Sequence, residues 1–158
     1  MTEPGAGEPV CHAVTVPLPI DRAFSVFVDA FPTWWPREYT WSQELLETIG
    51  IETRVGGRCY ERGPHGFQAD WGRILAWEPP RRIVLSWQVD PQRAPQPDPA
   101  KASEVEVRFI PEGPSSTRVA LEHRHFDRHG PGSAAYRAAM ASPRGWPLIL
   151  GRYAATAV

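Results

Sequence analysis

With 158 residues, 42% hydrophobic and 22% charged, the chain is long enough for one domain with a sizeable core and short for two. A formal net charge of −1 removes the electrostatic case for nucleic acid or an anionic membrane surface as partner. Lys101 is the only lysine and the arginines are scattered, so no basic patch stands out.

Residues 1–9, rich in Gly, Pro and Glu, read as a disordered tail, which leaves 10–158 as a single domain. The tail lacks the basic and apolar regions of a signal peptide. No apolar run approaches the ~20 residues that span a bilayer, so a cytoplasmic protein is expected. Residues 11–19 read as a first strand with His12, Val14 and Val16 on one face, ended by Pro17 and Pro19. A helix follows, with Ile20 as its staple, Asp21 as N-cap and Phe24, Phe27, Val28 and Phe31 at helical spacing. Pro32 is expected to stop it. Residues 33–43 are irregular, and 44–54 read as a strand leading to a turn at Gly56-Gly57, with a short helix as the alternative.

Strands are then expected at 58–62, 70–78 and 82–90, the last with Ile83, Leu85, Trp87 and Val89 on one face. A proline-rich loop at 91–102 precedes two alternating runs. Val105, Val107 and Phe109 point inward in the first; Val119, Leu121 and His123 do so in the second. Residues 133–141 read as a short helix capped by Ser133. The terminal helix becomes regular near Trp146, with Pro147 in its first turn and Trp146, Ile149, Leu150 and Tyr153 on one stripe. Such an order predicts an α+β domain in which a helix covers a curved antiparallel sheet. Trp71, Trp77 and Trp87 on that sheet are large groups for a small core, and they predict an aromatic-lined hollow.

Several short words stand in a specific order along residues 12–154. They are the Val14–Phe27 strand and helix, Trp34-Trp35-Pro36, Gly56-Gly57-Arg58, Trp71-Gly72, Glu78-Pro79-Pro80 and the strand ending at Trp87. Thr117-Arg118-Val119 through Glu122-His123, and Gly145-Trp146, complete the set. Together they resemble the START-like helix-grip (SRPBCC) superfamily, in the branch of the activator of heat-shock-protein-90 ATPase. The resemblance implies short helices near the N-terminus, a sheet wrapped around a long C-terminal helix and a pocket between them. It implies little about a reaction, because that superfamily hosts lipid carriers, polyketide cyclases, self-sacrificing resistance proteins and chaperone activators.

His123, His125 and His129 have a metal-like spacing but no further partner set, so neither a metal nor an organic cofactor is expected. Glu61 and Asp70 could act as paired acid and base if buried together. No nucleophile elbow, Cys/His signature or phosphate loop is present. Cys11 and Cys59 read as two reduced thiols. Among the aromatics, Trp34, Trp35, Tyr39, Trp41, Trp71, Trp87, Phe109, Phe126, Trp146 and Tyr153 are the candidates for a ligand site. Trp34 and Trp35 are expected at its mouth, Leu121 and Ile149 on its walls, and Glu61, Arg73 and His123 as orienting groups.

The expected function is binding of a small hydrophobic or aromatic ligand between the sheet and the C-terminal helix. A cyclase- or hydrolase-like enzyme using His123 and a carboxylate is the first alternative. A chaperone-interaction module working through the outer sheet face is the second, and a homodimer stays open.

Overall fold

The computed structural model describes residues 8–158. One antiparallel sheet is built from β1 (Val10–Val16), β2 (Thr48–Ile51), β3 (Arg58–Arg62), β4 (Gln68–Glu78), β5 (Arg82–Trp87), β6 (Ser103–Gly113) and β7 (Ser116–Arg124). Its order is β1-β7-β6-β5-β4-β3-β2. Two helices, α1 (Ile20–Val28) and α2 (Phe31–Trp34), carry the chain from the β1 edge to the β2 edge. Two more, α3 (Ser133–Ala141) and α4 (Trp146–Thr156), end the chain against the inner face. This is the curled α+β helix-grip arrangement.

The alternation of β6 and β7 sets the two faces. Val105 pairs with His123, Val107 with Leu121 and Phe109 with Val119, and all six are buried. Phe24 and Phe27 of α1 lie 5.1 and 5.6 Å from the Phe109 ring, and Phe27 lies 5.2 Å from Tyr153 of α4. The Tyr153 hydroxyl donates to the Ala23 carbonyl at 2.8 Å, tying α4 to α1. On the outer face Glu106 is only 5% exposed, because Arg82, Arg108 and Arg124 surround its carboxylate.

Several local expectations are corrected. α1 is preceded by Pro19 as N-cap, and Asp21 lies inside the first turn, where its charge suits the helix N-terminus. Pro32 does not stop a helix but opens α2, where a missing N–H leaves no bond unmade. Ser133 is the first residue of α3, with Gly132 as its cap at φ 88°. The strand expected over 44–54 shrinks to Thr48–Ile51, since Gln43 adopts a left-handed φ of 48° and residues 43–45 form a turn. β5 ends at Trp87 because the Gln88 carbonyl accepts from Gln96 N–H of the following loop. β7 ends at Arg124, and Phe126 follows a left-handed His125. Residues 1–7 of the expected tail lie outside the described residues, whereas the carbonyls of Glu8 and Pro9 accept from Arg137 at 2.8 and 3.0 Å.

Candidate functional site

A cavity of about 670 Å³ opens where β2 to β5, residues 35–43, the 89–93 turn and the α3–α4 junction converge. Its inner wall is aromatic. Trp35 and Trp71 stack at 5.8 Å with an interplanar angle of 16°, and Phe31 packs parallel to both at 5.0 and 5.4 Å. Trp87 meets Trp71 edge-on at 5.9 Å. Ile49 of β2, Met140 of α3 and Ile149 of α4 complete the apolar lining.

The polar groups of the wall are tied to the scaffold. Trp87 Nε1 donates to the Tyr136 hydroxyl at 2.7 Å, which donates onward to the Val89 carbonyl at 2.9 Å. Burial pushes the Tyr136 pKa up, against the opposing hydrogen bond from Trp87 and the nearby Arg93 charge. Glu61 is 1% exposed, and its carboxylate accepts from Trp41 N–H at 3.1 Å, Ser42 N–H at 2.8 Å and Ser42 Oγ at 2.7 Å. A buried carboxylate so engaged anchors the 41–42 segment.

The mouth is framed by two loops that hold each other. Trp41 Nε1 donates to the Arg93 carbonyl at 2.6 Å, and the Tyr39 hydroxyl donates to the Arg144 carbonyl at 2.8 Å. The Arg93 guanidinium lies 4.4 Å from the centre of the Tyr136 ring, a cation–π contact. Glu38 at the rim is paired with Arg152 at 2.8 Å.

Of the residues expected from sequence, Trp35, Glu61, Trp71, Trp87 and Ile149 come together on this cavity. Tyr39 and Trp41 join them. Trp34 lies beneath, 3% exposed, with its indole N–H donated to the Phe27 carbonyl at 3.1 Å. Phe109 and Tyr153 pack in the α1–α4 core. Leu121 and Trp146 border a separate void of about 10 Å³, room for no more than a single water. Trp77 packs edge-on against Phe24 at 5.3 Å, outside the cavity lining.

Arg73 faces the other way. Tyr60 pairs with Asp70 and Cys59 with Gly72, so Trp71 is an extra residue on β4 and counting by twos fails beyond it. Arg73 therefore sits on the outer face, 47% exposed, beside Asp70. Asp70 itself takes both Arg58 Nε and Nη2 at 2.7–3.1 Å on that face, so it does not meet Glu61 as an acid–base pair.

His123 is completely buried, but both its nitrogens are engaged by protein. Trp146 Nε1 can only donate, so His123 Nδ1 accepts at 3.0 Å and the ring proton sits on Nε2. That proton goes to Ser103 Oγ at 2.7 Å, and Ser103 in turn donates to His129 Nε2 at 2.7 Å. The chain leaves His129 Nδ1–H buried without an acceptor. Burial holds His123 well below the usual histidine range, with the neighbouring His129 adding to the effect, and burial also lowers His129 against the opposing charge of Asp90.

Sequence reasoning missed Arg93, Tyr136, Met140 and Arg144 as lining residues. Tyr136 and Met140 are spaced as one helix turn, a signal that could have put one face of α3 on the site. The arginines sit in segments without periodicity, and only the folded loops bring them to the mouth.

The curled sheet, the crossover helices and the terminal helix over an aromatic cavity define a helix-grip protein of the START-like, SRPBCC type. The chain belongs to the family described as activator of Hsp90 ATPase homolog 1-like protein, matched over residues 17–155. Among solved structures it is similar to an anthrahydroquino-gamma-pyrone synthase, Txn09, complexed with SUM. That likeness is 35% identity over 93% of this chain and 95% of the other, with TM-score 0.66. It is also similar to the self-sacrificing resistance protein CalC from Micromonospora echinospora, at 31% identity over 96% and 95% of the chains and TM-score 0.65. Protein NE0264 from Nitrosomonas europaea, at 16% identity, 98% and 96% coverage and TM-score 0.64, shares the fold. No curated protein matches the chain.

Proposed function

We propose that this protein binds a small planar aromatic molecule in the cavity, against the aromatic wall that Trp35, Trp71 and Trp87 form. The cavity carries the proposal: about 670 Å³ lies in the usual size range of small-molecule sites, and its inner wall is made of ring faces, with the polar groups gathered toward the mouth loops and tied to the scaffold. Stacking on fixed indoles rewards flat ligands and loses little side-chain entropy, because Trp71 and Trp87 are already held by indole hydrogen bonds to Tyr60 and Tyr136. The likeness to a synthase of fused-ring pyrones and to a resistance protein is consistent with such a ligand.

Native mass spectrometry of protein purified from its own host tests this. An aromatic small molecule should be retained, and a tricyclic quinone should quench tryptophan fluorescence saturably. Quenching should weaken by about tenfold in affinity in Trp71→Ala, the loss of one stacking partner of roughly 1.5 kcal/mol. No retained molecule and no saturable quenching would sink the proposal.

A cyclase-like enzyme is the second reading, supported by the 35% identity to a synthase. A retained molecule returned unchanged after prolonged incubation favours binding; a ring-closed product favours catalysis. For a chaperone-interaction module the outer sheet face would matter, and there Glu104, Glu106, Arg82 and Arg124 are mutually paired, leaving charge rather than an apolar patch.

A further inference from the structure

The hydrogen-bonding capacity left over in the cavity is lopsided. The hydroxyls of Tyr39, Thr40, Tyr136 and Ser142 all donate to backbone carbonyls, at 2.6–2.9 Å. The indoles of Trp41, Trp71 and Trp87 are likewise spent. Glu61 already accepts three bonds, and Glu38, the other acidic residue on the lining, is bound to Arg152. What remains is mostly donor: the guanidinium groups of Arg93 and Arg144, joined by the Gln43 amide and the Trp35 indole N–H. Among the described residues, neither Arg93 nor Arg144 pairs with a carboxylate.

Resting on the binding function proposed above, the geometry points to an anionic ligand: a planar aromatic whose carboxylate or phenolate lies at the mouth against Arg93 and Arg144. Three features favour this class over a neutral hydrocarbon. Arg93 and Arg144 both line the cavity and neither is in an ion pair among the described residues, and a guanidinium presents a planar fork that matches a carboxylate. Arg93 lies over the Tyr136 ring, which restrains it at the rim. The buried Glu61 carboxylate repels an anion from the inner wall, so the rings enter first and the charge stays outside. Ring oxygens of a quinone or pyrone would be read by the remaining donors, since the site offers few free acceptors for ligand hydroxyls.

Titration calorimetry with an anthraquinone carboxylate and its neutral carboxamide tests the proposal. The wild-type protein should bind the carboxylate about tenfold more tightly, the combined effect of two rim ion pairs, and the preference should shrink with added salt. In Arg93→Gln/Arg144→Gln the two probes should bind within about twofold of each other. Equal wild-type affinities for both probes would overturn the anion preference while leaving aromatic binding intact. Failure of both probes to bind would overturn the two proposals together. A carboxylate preference that persists in the double variant would remove the arginines from the site.

Discussion

His123 looks, on β7 alone, like a polar group offered to a ligand, and strict alternation does place it inside. Its two partners come from two other segments and His129 from a third, so the relay Trp146–His123–Ser103–His129 exists only once those segments meet. Both imidazoles have pKa values held below the ordinary 6.5, so the unfolded chain binds protons that the folded one refuses. Stability should therefore be full above about pH 6.5 and fall as pH drops below it, with His123 contributing most of the slope and His129 adding to it. Urea denaturation between pH 8 and 5 reads that slope; a flat profile would contradict the relay. His123→Phe leaves the Trp146 indole and the Ser103 hydroxyl without their partner, and should cost about 2–4 kcal/mol at pH 8. Its pH slope should drop by one proton. Glu61→Gln preserves size but replaces an acceptor with a donor facing Ser42, so faster amide exchange at residues 41–43 is expected, with a loss of about 1–3 kcal/mol.

At the scale of elements, β4 and the α3–α4 junction decide where the cavity lies. A second irregularity between Ile74 and Ala76 leaves Leu75 46% exposed and brings Trp77 back to the inner face, which a period of two does not foresee. Gly145 opens α4 so close to α3 that a Cβ there would strike the Met140 carbonyl. Gly151, midway along α4, has nothing within reach of an added Cβ. The two sites in one helix region should respond oppositely. Gly145→Ala should lower stability by about 2 kcal/mol or more, a backbone clash, whereas Gly151→Ala should raise it by about 0.5–1 kcal/mol through helix propensity. Thermal melts of both variants check this, and destabilisation by Gly151→Ala would contradict the open environment of that position.

Across the whole molecule, the outer face is stitched by charge while the inner face is packed by rings. Burial pushes the Glu106 carboxyl up, but hydrogen bonds from Arg82, Arg124 and Arg108 outweigh it and hold it at about 2. These contacts join β5, β6 and β7. A folded pKa below the ordinary 4.5 means stability contributed above that pH and lost as pH falls from about 4.5 toward 2. Glu106→Gln should remove that acid-sensitive part and cost about 2 kcal/mol at neutral pH, because Arg82 and Arg124, only 31% and 21% exposed, lose a charged partner. An unchanged acid unfolding midpoint in the variant would show the network to be decorative.

The sequence by itself determined the element order, the inward faces of β6 and β7 and the stripe on α4, because each is a local periodicity written in consecutive residues. It also marked Trp35, Trp71 and Trp87, since large aromatics on a curved sheet have few places to go. Only the tertiary structure decided that Arg73 points outward, that His123 is occupied by protein and that Arg93 and Arg144 line one cavity. A bulge changes the face of every residue beyond it, a hydrogen-bond partner is set by register across strands, and irregular loops have no period from which their neighbours could be read.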